Sequence, residues 1–78
     1  MNAVSLSSLR PGMACRLHSL QFHGGMRRRL QDLGFLPGVV LRCVNVAPSG
    51  SPMAIICKET MIALRREDCT KIQVTLCE

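Results

Sequence analysis

The sequence contains two phenylalanines and neither tryptophan nor tyrosine among its 78 residues. Proteins that bind single-stranded nucleic acid without sequence preference stack the bases on aromatic rings, and readers of proline-rich motifs use an aromatic-lined groove. This chain has too few rings for either kind of site. It also lacks any apolar run near the roughly 20 residues of a membrane-spanning helix, so we expect no direct membrane insertion.

The five cysteines include no CxxC pair, which argues against a structural zinc site. The N-terminal stretch has no apolar segment of signal-peptide length. We therefore expect a cytoplasmic protein with reduced thiols, folded as one domain over residues 1–78. The strand phases predict that Cys15, Cys43, Cys57 and Cys69 pack in the core and that Cys77 is exposed.

Acidic residues are scarce: ten Lys and Arg face five Asp and Glu, for a net charge of +5. The whole excess lies within residues 1–42, and its densest point is the run Arg27, Arg28 and Arg29. Guanidinium groups bind phosphates and carboxylates in a bidentate manner, so this run is a candidate binding site for an acidic or phosphorylated partner. The alternative is a solvated helix face. The same charge leaves a small nucleic-acid-binding barrel as an alternative, whose affinity would fall steeply with salt. The scarcity of aromatics argues against it, so we expect no nucleic-acid partner.

Hydrophobic periodicity predicts five short strands, at 13–20, 39–46, 53–58, 61–65 and 71–76, with one helix at 25–33 between the first and second. The inward-facing strand positions include Leu17, Ile55, Leu64, Ile72, Val74 and Leu76. Short strands at this spacing favour a mainly β fold, a small closed barrel. A tight connection is expected at 59–60.

The predicted helix has one apolar stripe, made by Met26, Leu30 and Leu33 at i, i+4 and i+7. Gly34 follows in the position where a left-handed residue ends many helices. Phe35 would then contact Leu30, as in a Schellman motif.

Two further features belong to the candidate partner-binding set. Leu36 and Pro37 open a predicted type II turn at 36–39, with proline and glycine in its two central positions. Ile56 is out of phase with Ile55 and Cys57, so it points away from the core. An outward isoleucine could belong to a binding patch or could be an isolated surface residue.

The set of candidate catalytic residues in the sequence does not support an enzyme. There is no nucleophile elbow of a serine hydrolase, and Cys15 and His18 point to opposite sides of a strand. His18, His23 and Cys77 could hold a loosely bound divalent metal, iron or zinc, within one molecule or between two. The sequence leaves the oligomeric state open, including a homo-oligomer.

Four segments resemble the ferrous iron transport protein A family, FeoA. They are LSSLRPG at 6–12, MRRRLQDLGFLPG at 26–38, APSGSP at 47–52 and IALRR at 62–66. They occur in the family's order and cover nearly the whole chain. Two departures are Ser51, where the family usually has Asp, and Glu59-Thr60, where it often has Gly. The first would remove a turn hydrogen bond, and the second would change the shape of a hairpin.

The resemblance implies an SH3-like barrel of about five strands, with the helix inserted after the first strand. It also implies a non-enzymatic cytoplasmic accessory of bacterial ferrous iron uptake that needs no cofactor and docks on the GTP-binding cytoplasmic region of the FeoB transporter. An alternative role is activation of GTP hydrolysis by Arg27, Arg28 or Arg29 supplied in trans.

Overall fold

Alternating apolar residues form a single antiparallel sheet in the computed structural model, which describes residues 3–77. The strands are β1 (Val4–Ser5), β2 (Ala14–Leu20), β3 (Val40–Val46), β4 (Met53–Cys57), β5 (Thr60–Leu64) and β6 (Ile72–Leu76). The helices are a 3₁₀ turn (Leu6–Ser8), α1 (Gly24–Asp32) and the single turn α2 (Arg66–Cys69). The predicted β class and the helix between the first two long strands are therefore confirmed. The two-residue β1 is additional.

The strands are ordered β1-β6-β2-β3-β4-β5 in the sheet. Its two ends, β1 and β5, are not hydrogen-bonded to each other in the described residues. The prediction of a closed barrel is therefore wrong in its closure, because β1 is only two residues long and pairs solely with β6. β5 is left as an edge strand beside α1. No helix within residues 3–77 has the length and apolarity needed to cross a membrane.

The core lies on the inner face of the sheet and contains both phenylalanines, together with leucine, isoleucine, valine, methionine and cysteine side chains. The thiols of Cys15, Cys43, Cys57 and Cys69 are fully buried and that of Cys77 is exposed, which confirms the prediction. The prediction that Leu76 is buried is wrong, because Leu76 keeps the phase of Ile72 and Val74 but is 44% exposed. It lies beyond Gln73 and Val74, the two residues of β6 that pair with β1.

A β-bulge interrupts the alternation in β2. The pairing of β2 with β6 shifts register between Leu17 and Ser19, so His18 is the extra residue of the bulged strand. This shift allows Leu17 and Leu20 to be buried together, although strict alternation would place them on opposite faces. His18 remains exposed.

The end of α1 has the predicted Schellman geometry. The backbone N–H of Phe35 donates to the Leu30 carbonyl (3.0 Å), and that of Gly34 donates to the Gln31 carbonyl (2.9 Å). Gly34 has φ +101°, and Phe35 is fully buried. Within the predicted apolar stripe Leu30 is buried, whereas Leu33 is 38% exposed.

The predicted turn at 36–39 is also confirmed, since the Val39 N–H donates to the Leu36 carbonyl (3.0 Å) and Gly38 has φ +90°. The β4–β5 connection is one residue earlier than predicted and consists of Lys58 and Glu59, with Lys58 at φ +58°. The hydroxyl of Ser51 is hydrogen-bonded outside the 47–52 turn. It accepts from the backbone N–H of Arg66 (3.0 Å) and thereby ties the 47–52 arc to the start of α2.

Candidate partner-binding surfaces

The three consecutive arginines of α1 have different environments. All three are exposed, but only Arg27 is anchored, by a hydrogen bond from Nη1 to the Leu20 carbonyl at the end of β2 (2.8 Å). The helix begins with two glycines and has neither a side-chain cap nor an acidic residue in its first turn. The Arg27 bond therefore fixes a weakly capped helix end to the sheet, which is a structural role.

Arg28 and Arg29 are the unanchored members of the run. Within residues 3–77 their side chains make no hydrogen bond or ion pair, and the single ion pair of that region joins Arg65 to Glu67 at 3.8 Å. That pair is exposed at both ends and contributes little stability. The charged groups of Arg28 and Arg29 are consequently free to meet a partner's carboxylate or phosphate.

Ile56 lies on the outer face of the sheet, as its phase predicted, with Arg42 of β3 on one side and Met61 of β5 on the other. Met61 is 60% exposed. Arg42 is positioned by a hydrogen bond from Nη1 to the Gly12 carbonyl (3.3 Å). We call the three side chains Arg42, Ile56 and Met61 the outer-sheet surface. Sequence reasoning missed Arg42 and Met61, although the alternation of Val40, Arg42 and Val44 was the signal that could have placed Arg42 outward.

A groove separates α1 from β5, the edge strand. Met26, Leu30 and Leu33 of the helix form one wall. The consecutive residues 62–65 form the other, and Arg29 and Asp68 complete the lining. We call this the helix–edge groove. Its β5 wall includes the inward residues Ile62 and Leu64, whereas Ile56 is on the outer face, so the fold does not bring Arg29 and Ile56 into one site.

Leu36 and Pro37 are both exposed at the turn that follows α1, with Leu36 48% exposed. They line neither the groove nor the outer-sheet surface. The six predicted partner-binding residues are therefore distributed over separate parts of the molecule, and their binding role stays a prediction.

The buried thiols are poor nucleophiles at neutral pH. Burial, with a smaller contribution from Cys77, raises the pKa of Cys15 to about 12. Burial, assisted by Asp68, raises the pKa of Cys69 to about 11. A nucleophilic cysteine needs a lowered pKa and access to solvent, so neither thiol is suited to attack a substrate at neutral pH.

One molecule does not assemble the predicted metal ligands. Within residues 3–77 there is no group of three or more His, Cys, Asp or Glu side chains arranged to hold a metal ion. His18, His23 and Cys77 are each exposed. A site shared between two molecules stays a prediction, as does loose binding of iron or zinc.

Residues 4–76 match the FeoA domain family. This chain belongs to the FeoA family. A curated relative is the Fe(2+) transport protein A/Fe(2+) transporter FeoB fusion protein of Porphyromonas gingivalis, which is 32% identical over 73 residues. That match covers 94% of this chain and 9% of the fusion protein, so the chain spans a small part of that relative.

Two solved structures show the same fold. The FeoA protein of Chlorobium tepidum superposes with a TM-score of 0.91 at 31% identity, over 96% of this chain and 71% of that one. The zinc complex of Stenotrophomonas maltophilia FeoA, described as a prokaryotic SH3 domain protein, gives a TM-score of 0.80 at 31% identity, over 91% and 88% of the two chains. These similarities confirm the SH3-like fold and the family expected from the sequence segments. The FeoA family is associated with ferrous iron transport, as the fusion relative shows.

Proposed function

We propose that this FeoA domain is a non-catalytic accessory module of ferrous iron uptake that docks, at the cytoplasmic face, on the GTP-binding region of a FeoB transporter. The observation that carries the proposal is the relative in which an FeoA domain and FeoB form one polypeptide. Fusion holds two modules at a high effective concentration without further contacts. A separate chain must reach the same association through its own binding surface.

The molecule offers suitable surfaces. Arg28 and Arg29 present unpaired charge on α1, and Arg42 stands beside exposed Met61 on the outer-sheet surface. Interfaces are enriched in arginine and methionine, and complementary charge steers partners together. The protonated buried thiols support a binding role over a catalytic one.

The direct test measures binding of the purified chain to full-length FeoB from the same organism, held in nanodiscs, by biolayer interferometry at two salt concentrations. We expect saturable binding that weakens as salt rises, together with slower Fe(II) uptake in a deletion strain. Absence of binding together with normal uptake in the deletion strain would refute the proposal.

A second role is favoured by the free guanidinium groups of Arg28 and Arg29, since an arginine supplied in trans can stabilise the charge that develops during GTP hydrolysis. The GTPase rate of FeoB should then rise when the chain is added. Arg28→Ala or Arg29→Ala should abolish the rise without weakening binding to the same extent. Arg27→Ala is the matched control, because Arg27 is engaged with the Leu20 carbonyl. If the GTPase rate of FeoB is unchanged although this chain is bound to it, docking alone remains as the proposed function.

A further inference from the structure

The helix–edge groove has one apolar wall and one wall that exposes backbone. Met26, Leu30 and Leu33 supply the apolar wall from α1. The groove encloses about 230 Å³, which is smaller than the roughly 300–1,000 Å³ of typical small-molecule pockets. It is therefore better suited to a few side chains of a polypeptide than to an organic cofactor.

The second wall is the free edge of β5. This strand pairs only with β4 and ends the sheet. The two-residue loop makes Cys57 and Thr60 the closing pair, and hydrogen-bonded pairs then alternate along an antiparallel ladder. The backbone groups of Thr60, Ile62 and Leu64 accordingly face β4, and those of Met61 and Ala63 face away from it.

The lining of the groove agrees with this alternation. Ala63 borders the groove, although its side chain lies on the opposite face of the sheet from Ile62 and Leu64. From this placement we expect Ala63 to border the groove through its backbone. Within residues 3–77 no backbone or side-chain hydrogen bond engages this outer edge, and an unpaired edge is a template for another strand.

The groove is incompletely covered and positively charged on one side. Leu33 is 38% exposed, and Met26 and Ile62 are only partly buried. Arg29 lines the groove without a partner among the described residues, so a carboxylate on the occupant would find it unpaired. Apolar pockets beside a free strand edge are the features used in recognition by β-strand addition.

We propose that an extended segment of the partner protein adds to β5 as a further strand in the helix–edge groove. Its apolar side chains face Leu33 and Ile62, its backbone pairs with Met61 and Ala63, and an acidic residue meets Arg29. The inference rests on the proposed function, because it takes the segment to come from the FeoB transporter.

The test compares variants of the whole chain for binding to full-length FeoB in nanodiscs. Ala63→Pro removes one outward N–H, and proline is tolerated on an edge strand whose N–H faces solvent. Leu33→Ser and Arg29→Glu alter the groove. Their matched controls are Leu76→Ser, which changes another exposed leucine, and Arg28→Glu, which changes the neighbouring charge outside the groove.

We expect Ala63→Pro and Leu33→Ser each to weaken binding by about tenfold, as the loss of one buried backbone hydrogen bond or of apolar burial implies. Leu76→Ser should bind like the wild type, and Arg28→Glu should weaken binding less than Arg29→Glu. Amide hydrogen exchange of the wild type gives a readout that needs no variant. The Met61 and Ala63 amides should exchange rapidly in the free chain and become protected when FeoB is bound.

Three results would overturn the inference. Wild-type binding with Met61 and Ala63 amides left unprotected, and with Ala63→Pro binding normally, would place the interface elsewhere and leave the proposed function intact. A wild-type dimer in sedimentation velocity that Ala63→Pro dissociates would make a second copy the occupant. Failure of the wild type to bind FeoB at all would remove the proposed function itself.

Discussion

Raising the pH should unfold this protein through its buried thiols. An unfolded thiol has a pKa of 9.0, whereas burial raises the pKa of Cys15 to about 12 and that of Cys69 to about 11. Between these values the unfolded chain releases protons that the folded chain keeps. Stability is therefore complete below pH 9 and falls as the pH rises toward the folded-state pKa values.

The magnitude follows from the shifts. For each thiol that is ionised in the unfolded chain but not in the folded one, the free energy of unfolding falls by about 1.4 kcal/mol per pH unit. By pH 11 the loss relative to neutral pH amounts to about 2–3 kcal/mol for each of Cys15 and Cys69. The combined loss of about 5 kcal/mol is comparable with the whole stability of a small domain, about 5–15 kcal/mol.

Urea unfolding followed by far-ultraviolet circular dichroism, with a reductant present, measures the effect from pH 8 to 11. Tryptophan fluorescence is not an option because the chain has no tryptophan. Cys15→Ala should begin less stable, because a buried group is lost, but should lose stability less steeply with pH. Val74→Ala is the control: it also truncates a fully buried side chain, yet it should keep the wild-type slope. Equal slopes for Cys15→Ala and the wild type would refute the reasoning.

Three further outcomes test the structure. A thiol reagent at pH 7.5 should label one cysteine of the native protein rapidly, at Cys77, and all five in denaturant; two or more fast native thiols would contradict the buried positions. Gly34→Ala and Gly38→Ala should each lower the free energy of unfolding by about 1–2 kcal/mol, because both positions have positive φ. Gly25 lies in open space and does not have positive φ, so Gly25→Ala should instead stabilise α1 by about 0.5–1 kcal/mol. Thermal unfolding distinguishes these opposite signs. Arg27→Ala should cost about 1 kcal/mol through loss of the Leu20 hydrogen bond, and Arg28→Ala less than about 0.5 kcal/mol; equal losses in urea titrations would show that the Arg27 bond does not stabilise the fold.

Local patterns in the sequence were sufficient to predict a feature where the pattern has a single structural explanation. Gly34 followed by Phe35 predicted the end of α1. Glycine adopts the left-handed backbone conformation without steric cost, and the next residue can then pack back against the helix. The alternation around Ile55 and Cys57 predicted the inner face of β4 for the same kind of reason: successive side chains of a strand point to opposite faces.

The sequence was less informative where the outcome depended on a neighbour distant in the chain. Leu33 fits the apolar stripe of α1 as well as Leu30 does, yet Leu30 is buried and Leu33 is 38% exposed. Leu76 keeps the phase of β6 but extends past the short β1. Burial at each of these positions is decided by which element covers it, and periodicity does not contain that information.

The sequence by itself therefore determined the β class, the inserted helix, the family segments, the concentration of positive charge in residues 1–42 and the set of inward cysteines. The tertiary structure alone decided which arginines are free, because anchoring Arg27 requires the carbonyl of Leu20 to lie within 2.8 Å. It also decided that β5 is an edge strand facing α1 across an apolar groove. Strand order is set by long-range pairing, and long-range pairing determines which backbone groups and apolar side chains remain available to a partner.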